Sequence, residues 1–182
     1  VFPFIKLRGL DPAPGPEMKS TGEVMGSHKN AAAAYLKARM ATEIPVPTHG
    51  GVYITVKDSD KESIISLAKS LKDMEFDLYA TRGTAAVLRE RGGLEVNSAY
   101  RIAEQGSPDA LDLMRDGKIQ LIINTPTNSG GAVLDGNMMR RLAVELNIPF
   151  VTTMSGATME VQAVAEMIKG LPEPRSLTIG TV

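Results

Sequence analysis

From residue 51 to near the C-terminus, short β-branched apolar runs alternate with longer segments of helical period, and this alternation constrains the fold more than any other feature. "VYITV" (52–56), "FDLYA" (76–80), the weaker "EVNSAY" (95–100), "IQLIIN" (119–124) and "FVTT" (150–153) read as strands. "DSDKESIISLAKSLKDM" (58–74) sets Ile64, Ile65, Ala68 and Leu71 on one helical stripe. "TAAVLRERG" (84–92) reads as a short helix closed by Gly92 and Gly93. "SPDALDLMRDG" (107–117) has serine at a cap, proline in the first turn and glycine at the end. Helices are also expected in "NMMRRLAVELN" (137–147) and "ATMEVQAVAEMIKG" (157–170), with "TPTNSGGAVLDG" (125–136) as a loop and "RSLTI" (175–179) as a short edge strand. Strands that alternate with helices favour a parallel sheet covered on both faces. The nearly continuous apolar run 119–124 fits its centre.

Residues 1–26 differ. They are rich in proline and glycine and show no sustained period, so they read as irregular, with at most a strand at Val1 to Ile5. Ser27 is a candidate cap for a helix through "HKNAAAAYLKARM" (28–40), and "EIPVPTHGG" (43–51) reads as a linker. The chain starts at Val1 rather than methionine, which suggests processing or excision from a longer protein.

Composition narrows the functional classes. The 182 residues carry a net charge of −1, which gives no pull toward nucleic acid or an anionic membrane. Cysteine is absent, so disulfides, thiolate nucleophiles and cysteine metal sites are excluded, and a reducing compartment fits. His28 and His49 are too isolated for a metal-ligand pair or a Ser–His–Asp arrangement. No Walker A pattern or G-x-G-x-x-G follows a strand.

In an open α/β sheet, ligands bind beyond the carboxyl ends of the strands. The residues there are polar after every strand: Lys57, Asp58, Asp60 and Lys61; Thr81, Arg82, Gly83 and Thr84; Arg101; Asn124, Thr125, Thr127, Asn128 and Ser129; then Thr152, Thr153 and Ser155. A phosphate needs amides at a helix start, hydroxyl donors and a nearby cation. Thr81-Arg82-Gly83-Thr84 offers that set, with Lys61 reaching across from the neighbouring crossover. Thr84 suits a helix cap equally well, and Asp58 and Asp60 are expected to cap the helix after the first strand. Asn124, at the end of an apolar strand, must find a partner. Asp135 suits a cap, a turn or a ligand. With no evident base or nucleophile, the set resembles a binding site more than an active site.

"GPEMKSTGEVMG" (15–26) resembles a specific segment of carbamoyl-phosphate synthetase large subunits, near the end of their second ATP-grasp unit. "DSDKESIISLAKSL", "ATRGTAAVL", "LIINTPT", "DGNMMRRLAVELNIPFVTT" and "GATMEVQAVAEMI" resemble the allosteric C-terminal domain that follows it. The resemblance implies a methylglyoxal synthase-like fold: three α/β/α layers and a five-stranded, mainly parallel sheet of order 3-2-1-4-5. It implies that residues 1–26 end the preceding synthetase unit, 27–49 form a helix and linker, and 50–182 form the regulatory domain. It further implies a cytoplasmic regulatory domain that binds UMP, IMP and ornithine and is itself non-catalytic. The parent would be a glutamine-hydrolysing ligase of arginine and pyrimidine biosynthesis. That parent would use ATP with Mg or Mn and pair with a glutaminase small subunit, whereas this segment would need no cofactor. Homo-oligomer contacts are another implied role.

Matched motif by motif, the nucleotide and phosphate contacts fall on Lys61, Thr81, Gly83, Thr84, Arg101, Asn124 and Thr125, and ornithine-linked positions on Asp135 and Thr152. Arg101 stands where the family commonly has lysine. The loop at 126–133 lacks the family's frequent cation, so phosphate charge would rest on Lys61, Arg82 and Arg101. The retained Gly83 favours the nucleotide-regulated branch over the one regulated by N-acetylglutamate. Two alternatives are a methylglyoxal synthase-type lyase acting on dihydroxyacetone phosphate, and a purely oligomerising module.

Overall fold

The computed structural model describes residues 24–42, 44–126 and 130–174. Five parallel strands, β1 (Gly51–Thr55), β2 (Asp77–Thr81), β3 (Asn97–Ala99), β4 (Leu121–Asn124) and β5 (Phe150–Val151), form one sheet of order β3-β2-β1-β4-β5. Six helices accompany it: α1 (Ala31–Met40), α2 (Lys61–Asp73), α3 (Arg82–Glu90), α4 (Ala110–Arg115), α5 (Gly130–Glu145) and α6 (Met154–Lys169). The expected fold class and strand order are both present.

Alternation along the strands builds the layers. Val52 and Ile54 of β1, with Leu121 and Ile123 of β4, face Ile64, Ala68 and Leu71 of α2, Leu88 of α3 and Val161 of α6. Tyr53 and Ile122 point the other way, into Leu113 and Met114 of α4 and Met139 and Ala143 of α5. Leu121, Ile122 and Ile123 are all fully buried, which explains their unbroken apolar run.

Several boundaries differ from the sequence reading. Asn30, not Ser27, caps α1, its side chain accepting from the Ala32 amide at 2.8 Å. Asp109, not Ser107, caps α4, accepting from the Asp112 amide at 2.9 Å, and Pro108 lies before the helix. Thr153 caps α6, which starts three residues earlier than its apolar period suggests. The largest correction is α5: residues 130–136 are helical rather than loop. Three glycines lower helix propensity there, and only Asp135 and Gly136 of the stretch 131–136 are buried, Gly136 close to Asn124 and Arg140. The strands suggested at Val1–Ile5 and 175–179 lie outside the described residues. Among the described residues no helix is long and apolar enough to cross a membrane.

α1 lies outside the three layers and docks on α6. Leu36 is fully buried there, and a buried polar cluster fixes the contact. Arg39 Nε donates to Glu160 Oε2 at 3.0 Å and Nη2 to Oε1 at 3.1 Å, while the Tyr35 hydroxyl donates to Oε2 at 2.9 Å. Glu160 is 1% exposed, so its charge depends on these partners. Burial first, then the Glu160 carboxylate, pushes the Tyr35 phenol up to about 12.

Glu160→Ala strands the Arg39 charge and is expected to cost about 3–5 kcal/mol in urea denaturation. Folding raises the Tyr35 pKa above its unfolded value of 10.0. Its contribution is therefore complete below about pH 10 and is lost as pH rises toward 12, because the unfolded state ionises first. Urea midpoints measured across that window should fall with pH, and less steeply in Tyr35→Phe.

Candidate functional site

The carboxyl ends of β1, β2 and β4 share one edge of the sheet. Thr55 pairs in register with Asn124, and Ile54 with Ala80, so Thr81 lies one step beyond. Between β1 and β4 the strand order reverses, and the chain leaves β1 and β4 toward opposite faces. The crevice formed there is a cavity of about 330 Å³. Lys61, Thr81, Gly83, Thr84, Arg101, Asn124, Thr125 and Asp135 all line it. Thr152 does not; it ends the β5 segment next to the Thr153 cap of α6.

One wall is the start of α3. Thr81 is its N-cap but makes no side-chain capping bond, and no acidic residue lies in the first turn. The first amides of a helix lack intrahelical partners and carry partial positive charge. The Thr81 hydroxyl instead donates to Thr84 Oγ1 at 3.4 Å, and Thr84 is 2% exposed. Thr84 thus lies inside the first turn of α3, beside the cavity, and is not its cap. Gly83 lies in the same turn. A Cβ there would sit 3.5 Å from Lys61 Nζ, so the lysine ammonium stands directly over the helix start.

The β4 end forms the second wall. Asn124 is 6% exposed. Its amide donates to Thr55 O at 3.5 Å, while its Oδ1 is buried without a hydrogen-bond partner. Gly136 of α5 packs close by; a Cβ there would lie 3.4 Å from Oδ1 and 3.1 Å from Arg140 Nη1. A buried acceptor left without a donor is costly, and Asn124 is one of the residues that line the cavity. Thr125 Oγ1 accepts from the Lys57 amide at 3.0 Å and ties the two loops together.

The cations of the wall are paired. Lys61 Nζ lies 2.6 Å from Asp58 Oδ1, Arg82 Nη2 2.8 Å from Glu104 Oε1, Arg101 Nε 3.6 Å from Asp135 Oδ2 and Lys57 Nζ 3.9 Å from Asp60 Oδ2. Arg82 also stacks over the Tyr100 ring, 5.2 Å from its centre. Asp60 occupies the N-cap position of α2, as expected, but makes no side-chain capping bond, and Asp58 lies in the 3₁₀ turn ahead of it. Asp135 is 8% exposed; burial raises its pKa, opposed by Arg101 and by a hydrogen bond from the Ala103 amide.

The sequence reading passed over several lining residues, Tyr53 and Glu104 among them. Tyr53 sits mid-strand on β1, 2% exposed, and burial followed by the Asp135 and Asp109 carboxylates raises its pKa, so it stays a phenol. Its signal was a polar tip within an apolar strand. Glu104 lies on a 3₁₀ turn after β3 and accepts from the Arg101 amide at 3.0 Å, a contact no motif announces.

Comparison with known proteins agrees with this architecture. The MGS-like domain family model matches residues 63–152. A carbamoyl phosphate synthase large chain, C-terminal section, of Methanocaldococcus jannaschii is 46% identical over 170 residues, 93% of this chain and 27% of the relative. The corresponding section from Methanopyrus kandleri is 47% identical over 169 residues, 93% of this chain and 31% of the relative. A carbamoyl phosphate synthase large chain of Methanothermobacter thermautotrophicus is 43% identical over 97% of this chain, which spans 16% of it. The chain therefore covers less than a third of each of these three relatives. Among solved structures, methylglyoxal synthase from Elizabethkingia anophelis superposes with a TM-score of 0.51 at 16% identity, covering 66% of this chain and 82% of that one, a likeness of fold.

Asp135 binds its proton more tightly in the folded state, so its ionisation costs stability once pH exceeds its unfolded pKa of 3.8. Asp135→Asn is expected to raise the urea midpoint at pH 7, with the difference from wild type shrinking as pH falls toward about 3. An equal or lower midpoint at pH 7 would contradict the burial argument.

Proposed function

We propose that this chain, whose residues 63–152 match the MGS-like domain family model, is the allosteric effector-binding domain of a carbamoyl phosphate synthase large chain, with a nucleoside monophosphate such as UMP or IMP as its ligand. One observation carries the reading: Lys61, Thr81, Gly83, Thr84, Asn124 and Thr125, drawn from three separate segments, converge on one cavity at the start of α3. Amides of α3, the Thr81 and Thr84 hydroxyls and the Lys61 ammonium supply what a phosphate requires. The unpartnered Asn124 Oδ1 asks for a donor, which a ribose hydroxyl or a base N–H provides. Asp135 beside Arg101 offers a carboxylate for an amine, which keeps ornithine as a second ligand.

In this reading the ligand acts by differential affinity: it binds one conformation of the large chain better and shifts the equilibrium toward it. The partners are the remaining synthetase domains and a glutaminase small subunit, in a cytoplasmic ligase serving arginine and pyrimidine biosynthesis. ATP with Mg or Mn belongs to those other domains.

Isothermal titration of the chain with UMP and with IMP is the direct test, and absence of heat from both at millimolar ligand would overturn the reading. Lys61→Ala is expected to weaken binding by about tenfold or more, as loss of a charge-assisted bond does. Thr84→Val, which keeps the shape, should weaken it by about two- to tenfold.

A further inference from the structure

The cavity is poised between repelling an anion and accepting one. Lys61 Nζ stands over the start of α3, so an ammonium and the positive end of a helix are held together. Such a pair needs an anion between or beside it, and Asp58 supplies one at 2.6 Å. The other acids of the wall are held differently. Glu104 is anchored to the Arg101 amide at 3.0 Å as well as to Arg82. The Asp135 side chain is 12% exposed and takes the Ala103 amide as well as Arg101. Asp58 has only Lys61, and its side chain is 94% exposed.

This difference decides which acid can leave. When its ion pair opens, Asp58 passes into water with no burial to reverse, whereas Asp135 would have to be drawn out of its buried position. Lys61, with a side chain 24% exposed, stays in the wall to meet the incoming charge. The lining cations Lys57, Lys61, Arg82 and Arg101 are nearly balanced by Asp58, Glu104 and Asp135. A monoanion that takes over Lys61 therefore only replaces one negative charge by another. A phosphomonoester dianion brings a second charge and further acceptor oxygens for the α3 amides and the two threonines.

We propose that Asp58 is a resident counter-ion that the ligand's phosphate displaces from Lys61, so that this exposed pair lowers the affinity of every phosphate that takes over Lys61. The proposal rests on the phosphate reading above. Displacing an exposed pair changes affinity by a modest factor, about two- to fivefold.

The test follows the Gly83 amide by ¹⁵N-correlated NMR while the whole chain is titrated at about pH 8 with methyl phosphate, a dianion, or dimethyl phosphate, a monoanion. Wild type is expected to bind methyl phosphate more tightly. Asp58→Asn should tighten both methyl phosphate and dimethyl phosphate by about two- to fivefold. In a Lys61→Met background the Asp58→Asn effect should vanish, because the competition has lost its object. If methyl phosphate binds but Asp58→Asn changes nothing, weakens both probes, or acts equally without Lys61, the counter-ion role is overturned while the phosphate site stands. If neither probe moves the Gly83 amide in wild type or in Asp58→Asn, the phosphate site itself fails and takes the proposal with it.

Discussion

The structure depends on β1 being paired on both sides. Its register with β2 and β4 puts Thr55 opposite Asn124 and Ile54 opposite Ala80, so that Thr81 falls level with them at the same edge. Because the strands are parallel, every carboxyl end emerges on that edge, and every crossover must return around a face of the sheet. The reversal of order between β1 and β4 then opens a crevice that no helix fills. Hydrophobic burial sets the layers, but the hydrogen-bonded register of three strands places a threonine, an asparagine and a helix start within reach of one small ligand.

Around that crevice the polar groups are unequal in a way that matters. Asn124 keeps a buried acceptor without a partner, and Asp135 keeps a carboxylate where burial opposes its charge. Both are unfavourable to the fold alone. Groups left in such states gather where a ligand completes them. By contrast, the Thr125 oxygen accepts from the Lys57 amide and the Thr84 oxygen from Thr81, which ties these wall residues to their neighbours and leaves their hydroxyl protons for a ligand. The crevice thus mixes groups that await a partner with groups that hold their shape without one.

Much of this was legible in the sequence. The five strand signals, the central burial of 121–124 and the polar residues beyond each strand all follow from local chemistry, and eight of the nine matched positions meet in the cavity. What sequence reasoning missed has physical causes. Residues 130–136 are helical despite three glycines, whose low helix propensity made the stretch read as a loop. Asn30, Asp109 and Thr153 win the cap positions through backbone geometry that composition does not reveal. Glu104 and Tyr53 reach the site through long-range placement, Glu104 on a 3₁₀ turn and Tyr53 through the alternation of a strand.

The docking of α1 on α6 has a consequence for where this unit can be cut. A fragment beginning at β1 would look complete by its sheet and its crevice. It would nonetheless leave Glu160 without Arg39 and Tyr35 and bare the apolar surface that Leu36 covers. Residues 31–40 are therefore joined to α6 by a buried polar and apolar contact as well as by the chain.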